Sequence, residues 1–220
     1  MNWEFIGKYL PMYEKAALLT VKIGVIGILF AILLGLVCAA IQYYKVPVLR
    51  WIVAVYVELS RNTPLLVQLC IVHFGLPQLT GMTLTTMQSG VLTFSLNSAA
   101  YISEIFRGGI NAIDRGQYEA AMSLGVGYRD MMKDIILPQA VKHILPSLVN
   151  EAISLLKESS ILSYIGAVEL LRAADQITVL TFRFFEPYLV IALIYYVFVM
   201  LLSMVASRVE RWVNRSDRVS

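Results

Sequence analysis

The stretch Glu119–Pro138, EAAMSLGVGYRDMMKDIILP, interrupts a chain that is otherwise mostly apolar. Glu119, Ala120, Ala121 and Leu124 sit in good helix-forming context, and Glu119 near the helix start complements the helix dipole. Gly125 and Gly127 then break the helix and permit a sharp turn with positive φ. Beyond them Met131, Ile135 and Ile136 recur at helical spacing opposite Arg129, Lys133 and Asp134, and Pro138 closes the element. The pattern predicts a short helix, a turn and a second amphipathic helix, standing as a knob on a membrane surface. On physical grounds alone such a knob either docks a soluble partner or rests on lipid.

The rest of the chain says why a membrane is involved. Of 220 residues, 58% are hydrophobic and 15% charged, with a mean hydropathy of +0.70. Soluble domains carry about 25% charge, so a bilayer is the solvent for much of this sequence. The formal net charge of +3 is too small to argue for nucleic acid. Cys38 and Cys70 lie inside apolar runs and read as buried small hydrophobes rather than a disulfide or a metal site. The opening MNWEFIGKYLPMYEKAA places acids and aromatics before an apolar run too long for a signal-peptide core, which reads as a retained span.

An all-α membrane protein with roughly five spans follows, each near the ~20 residues that a bilayer needs. The expected spans are about Ala17 to Ile41, Trp51 to Leu76, Met87 to Arg107, Leu145 to Val168 and Tyr188 to Val209. They make one membrane unit over residues 1–220, with the knob in a connection at about 108–142 and no soluble domain. Basic residues alternate by connection. Lys45 and Arg50 lie in the first, none in the second, and Arg107, Arg115, Arg129, Lys133 and Lys142 in the third. The fourth has Arg172 and Arg183, and the tail has Arg208, Arg211, Arg215 and Arg218. The positive-inside rule then puts the N-terminus outside and both the knob and the C-terminus in the cytoplasm.

With these residues in place, the chain resembles the EAA-motif permeases of ABC importers, of the polar amino-acid (histidine, glutamine and arginine) type. Glu119, Ala120 and Ala121, then Gly125, then Ile135, Leu137 and Pro138 match that motif at its full spacing. NSAAYISEIFRGGINAIDRGQYEAA from Asn97, RNTPLLVQL from Arg61 and SLLKESSIL from Ser154 extend the likeness over nearly the whole chain. The resemblance implies a type I importer fold in a bacterial inner membrane. It implies a second permease, identical or paralogous, two ATPase subunits docked on the knobs, and an extracytoplasmic amino-acid-binding protein. ATP and magnesium would belong to the ATPases. The chain lacks G-x-x-x-x-G-K-[ST], so it cannot cradle nucleotide phosphates, and nothing in it reads as an enzyme's nucleophile and base. The alternative is a proton- or sodium-coupled amino-acid carrier, which has no need of such a knob.

Intramembrane polar residues are costly in lipid, and each is a functional candidate by default. Glu58 with Arg61, and Glu104 with Arg107, are three apart, so each pair either neutralises itself on one helix face or meets substrate. Glu151, Ser154 and Glu158 share one face of the fourth span, with Asn150 beside Glu151 and Lys157 off the stripe. Glu151, Asn150, Ser154 and Glu158, with Asn97, Ser98 and Arg61, form the expected substrate path, the alternative for the fourth span being inter-helix hydrogen bonds that fix packing. Glu151 is the expected partner of a cationic amino acid, unless Arg61 or Arg107 from a neighbouring span neutralises it or it titrates to neutral and never meets substrate.

Overall fold

The computed structural model describes the backbone of residues 4–213 and the side chains of residues 6–211. Arg215 and Arg218, counted above for sidedness, lie outside the described residues. Every element among the described residues is helical. Lipid dictates this, because a helix pairs its backbone groups within itself. The first helix, α1 (Glu4–Tyr43), runs unbroken to an elbow at Tyr44–Val48 and is followed by α2 (Leu49–Asn62). Then come α3 (Leu65–Cys70), a π-turn over Ile71–Gly75 and α4 (Leu76–Thr80). The remaining elements are α5 (Thr86–Asn111), α6 (Arg115–Ser123), α7 (Tyr128–Asp130), a second π-turn (Met131–Ile136) and α8 (Leu137–Glu158). A 3-10 stretch (Ser159–Ile165), α9 (Leu170–Thr181) and α10 (Phe185–Val213) complete the path.

The packing is organised on α1 and α5. Gly35 lets α1 approach so closely that a Cβ there would stand 2.6 Å from Ile102 Cγ2 and 3.0 Å from the Ala99 carbonyl oxygen. Small residues at such crossings replace the hydrophobic drive that lipid removes with close van der Waals contact. A second cluster joins Ile23, Leu69, Phe94, Leu155 and Leu162, so α1, α3, α5, α8 and the 3-10 stretch share one core. A third joins Tyr13 and Ala16 of α1 to Leu170, Ala173, Ala174 and Ile177 of α9 and Ile191 of α10. At the start of α5, Thr85 and Gln88 form a reciprocal capping box, with bonds of 3.2 and 2.9 Å.

Three sequence expectations bear on the spanning elements. By length and composition two helices qualify as spans, Ile6–Tyr43 and Phe185–Arg211. A third is added if the bent pair Leu49–Asn62 and Leu65–Thr80 counts as one. Apolarity alone thus marks two or three of the expected five, and α5 escapes it by burying Ser89, Thr93, Ser95, Asn97, Ser98 and Ser103 against protein. The second expected span is bent, its halves meeting at 112° around Thr63 and Pro64, where proline breaks the helix. Finally, Pro138 does not close the knob's second helix, which continues through the π-turn into α8.

Both π-turns have the same cause. Each ends just before a Leu-Pro pair, Leu76-Pro77 and Leu137-Pro138, and each leucine N–H donates to a carbonyl five residues back, Ile71 and Met132. Proline offers no N–H and its ring collides with the carbonyl four residues back. Widening the preceding turn by one residue relieves the collision while the helix carries on.

Candidate functional site

The knob is built on its own small core. Asp114 caps α6 by accepting from the Gly116 N–H at 2.6 Å. Ile113, Ala121, Met131, Ile136, Ala140 and Ile144 then bury together, with Phe106, Tyr118, Val126 and Ile135 packed around them. Gly125 turns the chain with φ 72°, whereas Gly127 takes φ −61° and caps the next helix, so the turn needs the freedom of Gly125 alone. The back of the knob is pinned to the end of α1, where the Tyr43 and Tyr128 hydroxyls lie 2.7 Å apart and Tyr43 also reaches the Met132 sulfur at 3.4 Å. Burial, reinforced by Tyr128, raises the Tyr118 hydroxyl above the ordinary phenol range.

This core divides the motif residues. Ala121 is buried and Ile135 half-buried, so they hold the knob's shape. Glu119, Ala120, Gly125, Leu137 and Pro138 are exposed, together with Met122, Leu124 and Tyr128. Leu124 is 82% exposed. An anchored helix with apolar residues on its free face presents a surface that fits either a partner or lipid.

The broken helix between α2 and α3 carries a second polar centre. Its freed backbone is satisfied by side-chain amides. Gln68 Nε2 donates to the Ser60 carbonyl at 2.8 Å, and Asn97 Nδ2 donates to the same carbonyl at 3.2 Å and to Gln68 Oε1 at 3.1 Å. The Tyr56 hydroxyl donates to the Leu96 carbonyl and ties α2 to α5. The expected Glu58–Arg61 pair does not form. Arg61 turns to Glu104 across the interface at 3.6 Å, with its guanidinium over the Tyr101 ring at 5.5 Å. The expected Glu104–Arg107 pair does form, with Nε bonds of 3.0 and 3.2 Å. Gln42, Glu58, Arg61, Asn62, Tyr101 and Glu104 line an open hollow of ≈ 390 Å³.

Glu151 lies elsewhere. It sits half-buried on α8, and the Ser98 hydroxyl of α5 is its hydrogen-bonding neighbour. Arg61 and Arg107, its alternative partners, are engaged by Glu104. Ser154 is half-buried on the same helix, while Asn150, Lys157 and Glu158 are exposed. The residues expected along one path thus fall into two groups flanking α5: Arg61 and Asn97 toward α2 and α3, and Ser98 with Glu151 toward α8.

Sequence reasoning missed the most buried carboxylate. Glu169, at 0% exposure, caps α9 by accepting from the Leu171 and Arg172 N–H groups at 2.9 Å each, and Tyr195 donates to it at 3.1 Å. The neighbouring Leu170 N–H donates to the Thr20 hydroxyl at 3.4 Å. A glutamate cap carries no strong local signature, and its side-chain partner Tyr195 on α10 is remote in sequence.

Comparison with known proteins agrees with this architecture. Residues 31–216 match the family described as binding-protein-dependent transport system inner membrane component. The arginine transport system permease protein ArtQ of Bacillus subtilis is 44% identical over 99% of this chain and 100% of its own. The putative glutamine transport system permease protein GlnP of Rickettsia felis is 42% identical over 95% of this chain and 97% of its own. A solved structure described as an amino acid ABC transporter with histidines superposes with a TM-score of 0.91 at 41% identity, covering 96% of this chain and 98% of that one. The MetNI methionine ABC transporter, inward facing, matches at a TM-score of 0.79 and 17% identity over 94% and 98%, a likeness of fold alone. By sequence and by fold the chain belongs to the binding-protein-dependent inner-membrane components, the permease subunits of ABC importers.

Proposed function

We propose that this permease carries a polar amino acid with a preference for a cationic side chain, in a path enclosed by two copies or by one copy and a paralogue. The carrying observation is full-length likeness, above 40% identity, to permeases named for arginine and glutamine transport. The knob supports the coupling half of the reading. Its exposed Glu119, Ala120, Gly125, Leu137 and Pro138 would receive an ATPase subunit, which supplies ATP and magnesium from its own site. Orientation follows the charge alternation, with the knob in the cytoplasm of a bacterial inner membrane and the N-terminus outside. There α5 and α8 cross as inner spans, bringing the total to five, and an amino-acid-binding protein docks on the outward connections. Glu151, Ser98 and Ser154, with Asn150 and Glu158 further along α8, offer the cargo a carboxylate and neutral partners. Arg61 and Asn97 stand on the other side of α5, where Arg61 meets Glu104 and Asn97 braces the α2–α3 break.

The test is transport in proteoliposomes holding the permease, its ATPase and its binding protein. Uptake of a radiolabelled amino acid should require ATP on the knob side and survive collapse of the proton and sodium gradients. Uptake that follows an ion gradient without ATP would overturn the reading.

A further inference from the structure

The elbow joining α1 to α2 carries a cationic hollow that the transport path does not use. Lys45, Pro47, Val48, Arg50, Trp51 and Ile52 line an open space of ≈ 480 Å³. Arg50 lies over the Trp51 ring at 5.1 Å, which steadies the guanidinium. The first turn of α2 contains no acidic residue, and among the described residues no carboxylate pairs with Lys45 or Arg50. The elbow is nevertheless well ordered by backbone bonds, Val46 N–H to Ile41 O at 3.1 Å and Arg50 N–H to Val46 O at 3.0 Å. Val48 is held at φ 65°, a conformation that a β-branched residue avoids, and Lys45 at φ 51°.

We propose that this elbow is a binding site for the headgroup of an anionic phospholipid, with Lys45 and Arg50 on its phosphate. Position and surroundings select a lipid over a free anion. The elbow directly follows the span Ile6–Tyr43, at the depth where phosphates and aromatic side chains meet. The cations are ringed by Tyr44, Val48, Trp51 and Ile52, from 59% to 71% exposed. Inorganic phosphate gains nothing from that apolar rim, whereas the acyl chains of a lipid cover it. Basic hollows beside helix ends take up anionic headgroups for the same electrostatic reason.

The permease–ATPase complex, stripped of lipid in mild detergent and then offered single lipids, tests this by native mass spectrometry. Phosphatidylglycerol should remain bound at higher occupancy than phosphatidylcholine. The Lys45→Gln/Arg50→Gln variant should lose that preference at least about fivefold, whereas Lys45→Arg/Arg50→Lys keeps it, as two charges in place require. Equal retention of the two lipids, or an unchanged preference in the glutamine variant, would overturn the site. Displacement of phosphatidylglycerol by inorganic phosphate at millimolar concentration would reassign it to a free anion. Ready disulfide formation between two copies of Val48→Cys in native membranes would show instead that a second permease covers the elbow.

Discussion

At Glu151 a carboxylate is held half-buried with a serine hydroxyl as its neighbour, while Arg61 and Arg107 are committed to Glu104. The cation closest in its own helix, Lys157, stands six residues on and about 120° around the axis. A charge so placed is suited to a transient positive partner. Glu151→Gln keeps the shape and deletes the charge. A hydrogen bond to a charged group is worth ~1.5–3 kcal/mol, so arginine uptake should fall on the order of tenfold or more, with glutamine uptake much less affected. Equal loss of both would leave Glu151 a packing residue. Gly109 gives a second test at this scale. An added Cβ would overlap Ile144 Cγ1 and stand 3.3 Å from the Ala140 carbonyl oxygen. Gly109→Ala should therefore cost about 1–3 kcal/mol, visible as a lower melting temperature of the purified protein. The cost should shrink in an Ile144→Ala background, and additive losses would show that the two positions do not meet. Glu151 and Ser154 were legible as candidates because ionisable and polar residues stand out in apolar sequence. The switch of Arg61 from Glu58 to Glu104 was not, since helix spacing reveals partners within one helix only.

Among the elements, the knob shows how far local chemistry reaches. Its short helix, its turn and the exposure of Glu119 and Ala120 follow from helix propensity and a glycine break. The turn makes a selective prediction. No atom lies within 4 Å of a Cβ built on Gly125, so a substitution there acts through φ 72° alone. Gly125→Val should cost roughly 1–2 kcal/mol of backbone strain and uncouple ATP hydrolysis from uptake while the protein still inserts. Gly125→Asn, whose side chain tolerates the left-handed region, should stay near wild type. If both variants transport normally, the turn is not a coupling element. What local chemistry did not give is the continuation past Pro138. Proline usually ends a helix, but here Ile136, Ala140 and Ile144 are buried on one stripe, and that packing carries the helix across the π-turn. At Pro64 a proline does end a helix, and Gln68 and Asn97 brace the 112° bend that results.

For the whole molecule, hydropathy identifies what touches lipid and fails where protein takes its place. Ile6–Tyr43 and Phe185–Arg211 pass on composition, while α5 buries Ser89, Thr93, Ser95, Ser98 and Ser103 among its neighbours. Such a polar inner helix fails a test of apolarity alone, although its run from Met87 to Arg107 was legible as a span. Sidedness is a property of the assembled chain, and it has its own test. A cysteine at exposed Thr80, in the connection without basic residues, should react with an impermeant thiol reagent added outside intact cells. A cysteine at exposed Ser123 on α6 should react only after the membrane is opened. The reverse pattern would place the knob on the side where no ATPase resides.

The uninterrupted helical path from Tyr128 through the π-turn to Glu158 ties the knob to the interior by phase as well as by distance. Each residue of helix advances the chain ~1.5 Å and turns it ~100°. One alanine inserted after Gln139 would therefore swing Glu151 off Ser98 toward a different neighbour, as a keyed shaft cut one notch wrong misaligns everything mounted beyond the cut. The same alanine inserted beside Gly125 meets an irregular turn, where a change of length is absorbed without rotating the helix beyond it. A scan of single insertions from Ser123 to Glu151, read by uptake, should thus show tolerance at the turn and a sharp loss once it passes Met131.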